Sequence, residues 1–235
     1  PVYENTDGDS RGVCVAGDYA YMANDAEVGS ALAIIDVSDP TDPSTLAYRD
    51  TLGTNGHGVY ISGEYAYMAN HNYGLAIIDV SDPTEPGAPV YENTDGLSYG
   101  VYVVGEYAYV ADYYTSNGLA VINVSDPENP GTPVYKYTLG NSYGVYVAGD
   151  YAYVADSGSG LAIIDVSDPE NPGTPVYRDT NGSSYGVYVT GGYAYVADDT
   201  SGLAIIDVSD PTNPGTPVIY RDTDGESRGI YVAGD

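Results

Sequence analysis

Short apolar runs, none longer than a strand, follow one another along this chain in a fixed order. The most apolar, Leu-Ala-Ile-Ile-Asp-Val, ends in Ser-Asp-Pro. It returns five times, with Ile34, Ile77, Val121, Ile163 and Ile205 in register at spacings of 42 to 44 residues. Both of its faces are apolar, Leu161 and Ile163 on one, Ala162, Ile164 and Val166 on the other. Such a run predicts a strand buried on both sides. Ahead of it stands Tyr-Ala-Tyr-(Val/Met)-Ala-(Asp/Asn), as at Tyr151 to Asp156. Ahead of that stands an alternating strand, Gly-Val-Tyr-Val-x-Gly in most copies, as at Gly144 to Gly149. A Gly-Asp, Gly-Glu or Gly-Gly pair joins these two as a tight hairpin. After Ser-Asp-Pro, where Pro stops the ladder, a Pro-rich turn leads to a fourth strand such as Pro175 to Thr180. No stretch carries a helical period.

Four short strands per repeat of ~40–45 residues are the signature of a propeller blade. The pattern therefore predicts an all-β chain, a β-propeller of four-stranded blades in a single domain over residues 1–235. The blades fall at about 12–51, 58–96, 100–138, 144–180 and 186–223. The ends do not match that count. The chain opens with an extra outer strand (1–8) and closes with an extra inner strand (229–235). Asp7 to Gly12 is nearly repeated at Asp224 to Gly229. Five blades is the expected count; a six-bladed ring and a window cut from a longer array are the alternatives. The unmatched ends, Pro1, Val2, Tyr3, Gly229, Ile230, Tyr231 and Val232, are candidates for strand addition to a neighbouring copy. A head-to-tail contact that does not close would propagate into a filament. The competing expectation is that the overlap seals the ring within one chain.

The blade core, Tyr-Ala-Tyr-Val-Ala-Asp followed by Gly-Leu-Ala-Ile-Ile-Asp-Val-Ser-Asp-Pro, resembles the LVIVD repeat family of bacterial and archaeal surface-associated propellers. The resemblance covers essentially the whole chain. It implies an extracellular or envelope setting and brings no catalytic signature to carry over.

Charge narrows the partners. With 34 acidic and 6 basic residues the net charge is −28. Nucleic acid, which needs clustered Lys and Arg, is excluded as an expected partner, and no apolar run is long enough for membrane insertion. The expected partners are copies of the chain and, as a second class, surface glycans. The 28 Tyr stand beside no Phe and no Trp. Cys14 falls where the other repeats carry Tyr60, Tyr102, Tyr146, Tyr188 and Tyr231, so it reads as a drifted tyrosine position.

No catalytic residue is expected: a catalytic site would break the repeat symmetry. The positions just before the inner strands, Arg11, His57, Tyr99, Tyr143, Tyr185 and Arg228, form one candidate binding set. Tyr73 and Tyr113, in the variable loops between second and third strands, form another. Rings with nearby Asp and Asn suit sugars, which makes a multivalent lectin the alternative function and a propeller glycosidase a weaker third. No cofactor is expected. Calcium near Asp36, Asp79, Asp165 and Asp207 is the one metal to consider, since calcium takes six to eight oxygens. The competing reading of those carboxylates is strand-ending turns. His57 and His71 lack the spaced partners of a zinc site. Arg49, Lys136, Arg178 and Arg221, on the fourth strands, are expected to guard a sheet edge.

Overall fold

The computed structural model describes residues 6, 8–25, 31–53, 55–114, 118–215 and 218–233. Each repeat forms one four-stranded antiparallel sheet. The first holds β1 (Asp9–Ala16), β2 (Tyr19–Asp25), β3 (Leu32–Asp36) and β4 (Ser44–Arg49); the second holds β5 (Val59–Ser62), β6 (Tyr65–Ala69), β7 (Leu75–Asp79) and β8 (Val90–Glu92). The third holds β9 (Ser98–Val104), β10 (Tyr107–Asp112), β11 (Gly118–Asn123) and β12 (Val134–Lys136). The fourth holds β13 (Gly144–Ala148), β14 (Tyr151–Ala155), β15 (Leu161–Asp165) and β16 (Val176–Arg178). The fifth holds β17 (Gly186–Thr190), β18 (Tyr193–Ala197), β19 (Leu203–Asp207) and β20 (Ile219–Arg221). Spatial order follows sequence order in every sheet. The fold is all-β, a propeller architecture of five four-stranded blades, as the sequence predicts. Among the described residues no helix is long and apolar enough to cross a membrane.

Register follows from the repeat. In the fourth sheet Tyr146 pairs with Tyr153 and Tyr153 with Ile163. In the first, Cys14 pairs with Tyr21 and Tyr21 with Ile34. Cys14 thus stands in the ladder where other repeats place a ring, and burial raises its thiol pKa.

The chain divides into two compact units, residues 1–108 with 122–133, and residues 109–121 with 134–235. In the first unit, Tyr21, Ala23, Leu32 and Ile34 on one face of the first sheet pack against Val59, Ala66, Met68, Ile78 and Val80 of the second. In the other unit, Tyr153, Ala155, Leu161 and Ile163 of the fourth sheet pack against Val187, Val189, Val196, Ile206 and Val208 of the fifth. Each joint is one composition used again. A fully buried Leu or Ile side chain contributes roughly 1.5–3 kcal/mol.

First strands of adjacent sheets approach closely at the glycine that opens each one. A Cβ on Gly144 would lie 2.6 Å from the Tyr185 carbonyl oxygen, and one on Gly186 would lie 2.8 Å from that of Arg228. Glycine opens the inner-strand motif because no larger residue fits that gap.

The first and fifth sheets each carry residues more exposed than their counterparts at the internal joints. Val13 and Val15 of β1 are 61% and 63% exposed, whereas their counterparts Val187 and Val189 are 8% exposed. At the other end Leu203 and Ile205 are half-buried, while Leu161 and Ile163 are 0% and 1% exposed. The predicted extra inner strand is corrected: Gly229–Ala233 forms no ladder. It lies along β17, with the Ile230 side chain 3.5 Å from a Cβ built on Gly186. The candidates Pro1, Val2 and Tyr3 lie outside the described residues.

Candidate functional site

The sequence-predicted positions before the inner strands are brought together within each unit. In the first, the His57 ring lies 4.3 Å from Tyr99 and 5.3 Å from His71. Arg11 pairs with Asp25 at the edge of the first sheet. Burial, then the charges of Arg11 and His71, lowers the His57 pKa to about 4. In the second unit, Tyr143 lies 4.6 Å from Tyr185, and Tyr113 joins them 5.2 Å from Tyr143. Arg228 sits 4.8 Å over the Tyr185 ring and 2.9 Å from Glu226. Centroid separations of 4.5–7 Å are the usual range for aromatic pairs. A second row runs beside the first, through Tyr60 and Tyr102 in one unit and Tyr146, Tyr188 and Tyr231 in the other. Tyr73 belongs to neither row; its ring covers Gly53, a turn glycine with φ of 75°. The sequence reading gave His71 no partner. Its only signal was its place in the loop opposite Ser98, with which it forms a bridge.

The carboxylates considered for calcium lie at the ends of the third strands and are exposed or half-exposed. Asp36 accepts the Ser38 amide at 2.8 Å, and Asp79 that of Ser81 at 2.8 Å. Asp165 and Asp207 each accept an amide and a hydroxyl from Ser167 and Ser209. The serine hydroxyl and then the amide hold Asp36, Asp165 and Asp207 below the ordinary carboxylate range; for Asp79 the Ser81 amide leads. These bonds close Asx turns. Among the described residues no group of three metal-ligating side chains converges.

A polar cluster that sequence reasoning missed lies at the joints. Asp156, fully buried at the end of the second strand of its blade, accepts Thr138 Oγ1 at 2.7 Å, Ser142 Oγ at 2.9 Å and the Gly140 amide at 2.8 Å. All three donors lie on the linker entering that blade. Asp198 repeats the arrangement with Thr180, Ser184 and Gly182. Burial pushes the Asp156 pKa up against the pull of these donors. The signal was present as Thr-x-x-x-Ser before every inner strand but the second, where Asn55 replaces the serine, and as Asp or Asn at the end of each second strand.

The fourth-strand cations also do more than guard an edge. Arg49 donates to the Pro86 carbonyl of the next repeat, and Arg178 donates to that of Pro214 at 2.8 Å. Each fastens one blade to the turn of its successor. Arg221, on the last blade, turns back to its own neighbour, the Tyr220 carbonyl, at 3.1 Å. In the first unit, whose second repeat carries Glu92 at this position, a cleft of about 380 Å³ is lined by Tyr65, Asp79, Val90, Pro127 and Glu128, among others.

Stacked blades, a repeated joint and aromatic rows define a propeller-type repeat scaffold. Similar folds are known at low identity. A candidate 6-phosphogluconolactonase from Bacteroides uniformis matches with a TM-score of 0.71 at 14% identity, over 92% of this chain and 70% of that one. A chain of a nidogen/laminin complex gives 0.68 at 14% identity, over 95% and 84%. BamB from Moraxella catarrhalis gives 0.59 at 16% identity, over 94% and 63%. At these identities the likeness is one of fold alone. No curated protein matches by sequence. The LVIVD repeat matches residues 7–51, 55–89, 95–133, 139–175 and 181–222. The chain belongs to the LVIVD repeat family.

Proposed function

We propose that the chain is a non-enzymatic structural and adhesive module of the cell exterior that assembles with copies of itself. The observation that carries this reading is the difference between the valines of β1 and their counterparts in β17. Residues that are buried at the joint between the fourth and fifth sheets have the same chemistry as Val13 and Val15, which are exposed. A valine face of the kind that stacks at the internal joint is exposed on the first sheet. Head-to-tail use of that surface gives a filament. The family resemblance and the acidic composition support the exterior setting. The test is light scattering of the purified chain across concentration and salt. Copies carrying −28 each repel, and added salt screens that repulsion. Assembly is expected to grow with both variables; a constant monomer mass removes the reading.

A second reading, multivalent binding of carbohydrate, is favoured by the cleft beside Tyr65, where a ring, Asp79 and Glu128 line about 380 Å³. Apolar ring faces with carboxylate acceptors suit a sugar. Glycan-array binding that falls in a Tyr65→Ala variant supports it, and an array without a hit sinks it.

A further inference from the structure

The fourth-strand position that carries Arg49 and Arg178 is Glu92 in the second repeat. In the joints they serve, the two arginines run from one blade to the next. Each donates to a proline carbonyl in the following turn, Arg49 to Pro86 and Arg178 to Pro214, and the Nε of each is buried. A guanidinium is therefore what this kind of joint holds. Glu92 stands in the same register: it pairs with Leu75, as Arg49 pairs with Leu32 and Arg178 with Leu161. Pro130, in Asn129-Pro130-Gly131, takes the place in its turn that Pro86 and Pro214 take in theirs. Where the other two joints set a donor against the carbonyl, this one sets a carboxylate.

The cleft of about 380 Å³ lies along this gap. Val90, in its lining, precedes Glu92 by two residues on the same face of β8, and Pro127 and Glu128 belong to the turn of Pro130. Ile77 and Pro127 supply apolar wall, Tyr65 a ring, and Asp79 and Glu128 carboxylates. The surroundings are negative: burial, then the charges of Asp79, Glu128, Glu64 and Asp126, raises the Tyr65 pKa. Burial raises that of Glu92, which has no ion pair among the described residues. A carboxylate taken out of water is costly unless a cation or donor meets it.

We propose that this cleft takes an arginine side chain from a partner protein, its guanidinium donating to the Glu92 carboxylate and the Pro130 carbonyl and its stem lying along Tyr65 and Ile77. Arginine matches each group present. Its methylene stem covers apolar wall, its plane stacks on a ring, and its fork of donors meets a carboxylate and a second acceptor together. Lysine, a point charge on a flexible stem, lacks the fork. The net charge of −28 draws a basic segment toward the chain. The proposal goes beyond the self-assembly reading and does not rest on it. It gives the cleft of the carbohydrate reading a different occupant, and one titration separates the two.

The probe is the peptide acetyl-Gly-Arg-Gly-amide, titrated into the full-length chain with ring-labelled tyrosine and followed by NMR, the Tyr65 signal being assigned with Tyr65→Phe. A saturable shift of Tyr65 is expected. The citrulline peptide keeps the shape and loses the charge, and is expected to bind about tenfold more weakly or worse. Glu92→Gln is expected to weaken the arginine peptide by about the same factor. Glu92→Arg supplies the guanidinium within the chain; it is expected to melt higher than wild type and to lose its response to the peptide. Equal binding of the arginine and citrulline peptides to wild type overturns the proposal. So does a lysine peptide that binds as well as the arginine one with Glu92→Gln without effect, which marks general attraction to an acidic chain. Cellotriose is titrated in parallel. If it shifts Tyr65 and the arginine peptide does not, the sugar reading stands and the arginine occupant is overturned; if neither shifts Tyr65, both readings of the cleft fall.

Discussion

Replacing Asp156 by Ala probes the element that pins each blade to its entering linker. Asp156, Thr138 and Ser142 are all 0% exposed, and the carboxylate receives three donors. After truncation Thr138 and Ser142, which lie 3.0 Å apart, still satisfy one hydroxyl between them. The Gly140 amide and one hydroxyl proton are left without an acceptor. Each such loss costs about 1–3 kcal/mol, or about 2–6 kcal/mol for the two. Part is returned, because the carboxylate itself is held in a site whose burial disfavours its charge. The expected net loss is about 2–4 kcal/mol, which for a chain of this size lowers Tm by roughly 4–16 °C. Asp156→Asn should cost less, because Asn70 fills the same repeat position and uses its amide to donate to the Leu52 carbonyl at 2.7 Å. Urea unfolding followed by tyrosine fluorescence and circular dichroism gives the numbers. An Asp156→Ala variant within 1 kcal/mol of wild type refutes the pinning role. So does an Asn variant weaker than the Ala variant.

The same aspartate fixes a sign with pH. Its folded pKa lies above the ordinary value, so wild type should gain stability relative to Asp156→Asn as pH falls from neutrality toward 4, in paired melts. His57 works the other way. Its folded pKa of about 4 lies below the ordinary 6.5, so stability is lost between those values on acidification, and His57→Tyr should flatten that loss. Gly144→Ala forces a methyl to within 2.6 Å of the Tyr185 carbonyl and is expected to cost about 1–3 kcal/mol by chemical denaturation; a neutral result contradicts the close approach of first strands. Tyr177→Phe removes the hydroxyl that accepts the Leu139 amide at 3.1 Å, an expected loss of about 0.5–1.5 kcal/mol in the same assay.

The strands and their order were legible because each has its own periodicity. Leu-Ala-Ile-Ile is apolar on both faces and lies between sheets, and Gly-Val-Tyr-Val alternates and lies at the first position of its sheet. The ring contacts of His57 with Tyr99 in one unit, and of Tyr143, Tyr185 and Arg228 in the other, join residues that share one offset in the repeat. Four things were not legible. The Asp156 cluster joins residues 14 to 18 positions apart across a linker that reads as an ordinary turn, and only the fold closes that distance. The Arg178 bond spans 36 residues to a carbonyl, a group with no sequence signature. Gly229–Ala233 has the residue pattern of a strand, yet it forms no ladder among the described residues. The place of Tyr73 over Gly53 likewise depends on a turn and not on the repeat.

Electron microscopy of the purified full chain, at high concentration and in raised salt, tests the central claim most directly. The account predicts elongated particles whose subunit is one chain and whose length distribution collapses to single subunits in Val13→Asp. Uniform single-chain particles for the wild type under every condition would contradict it.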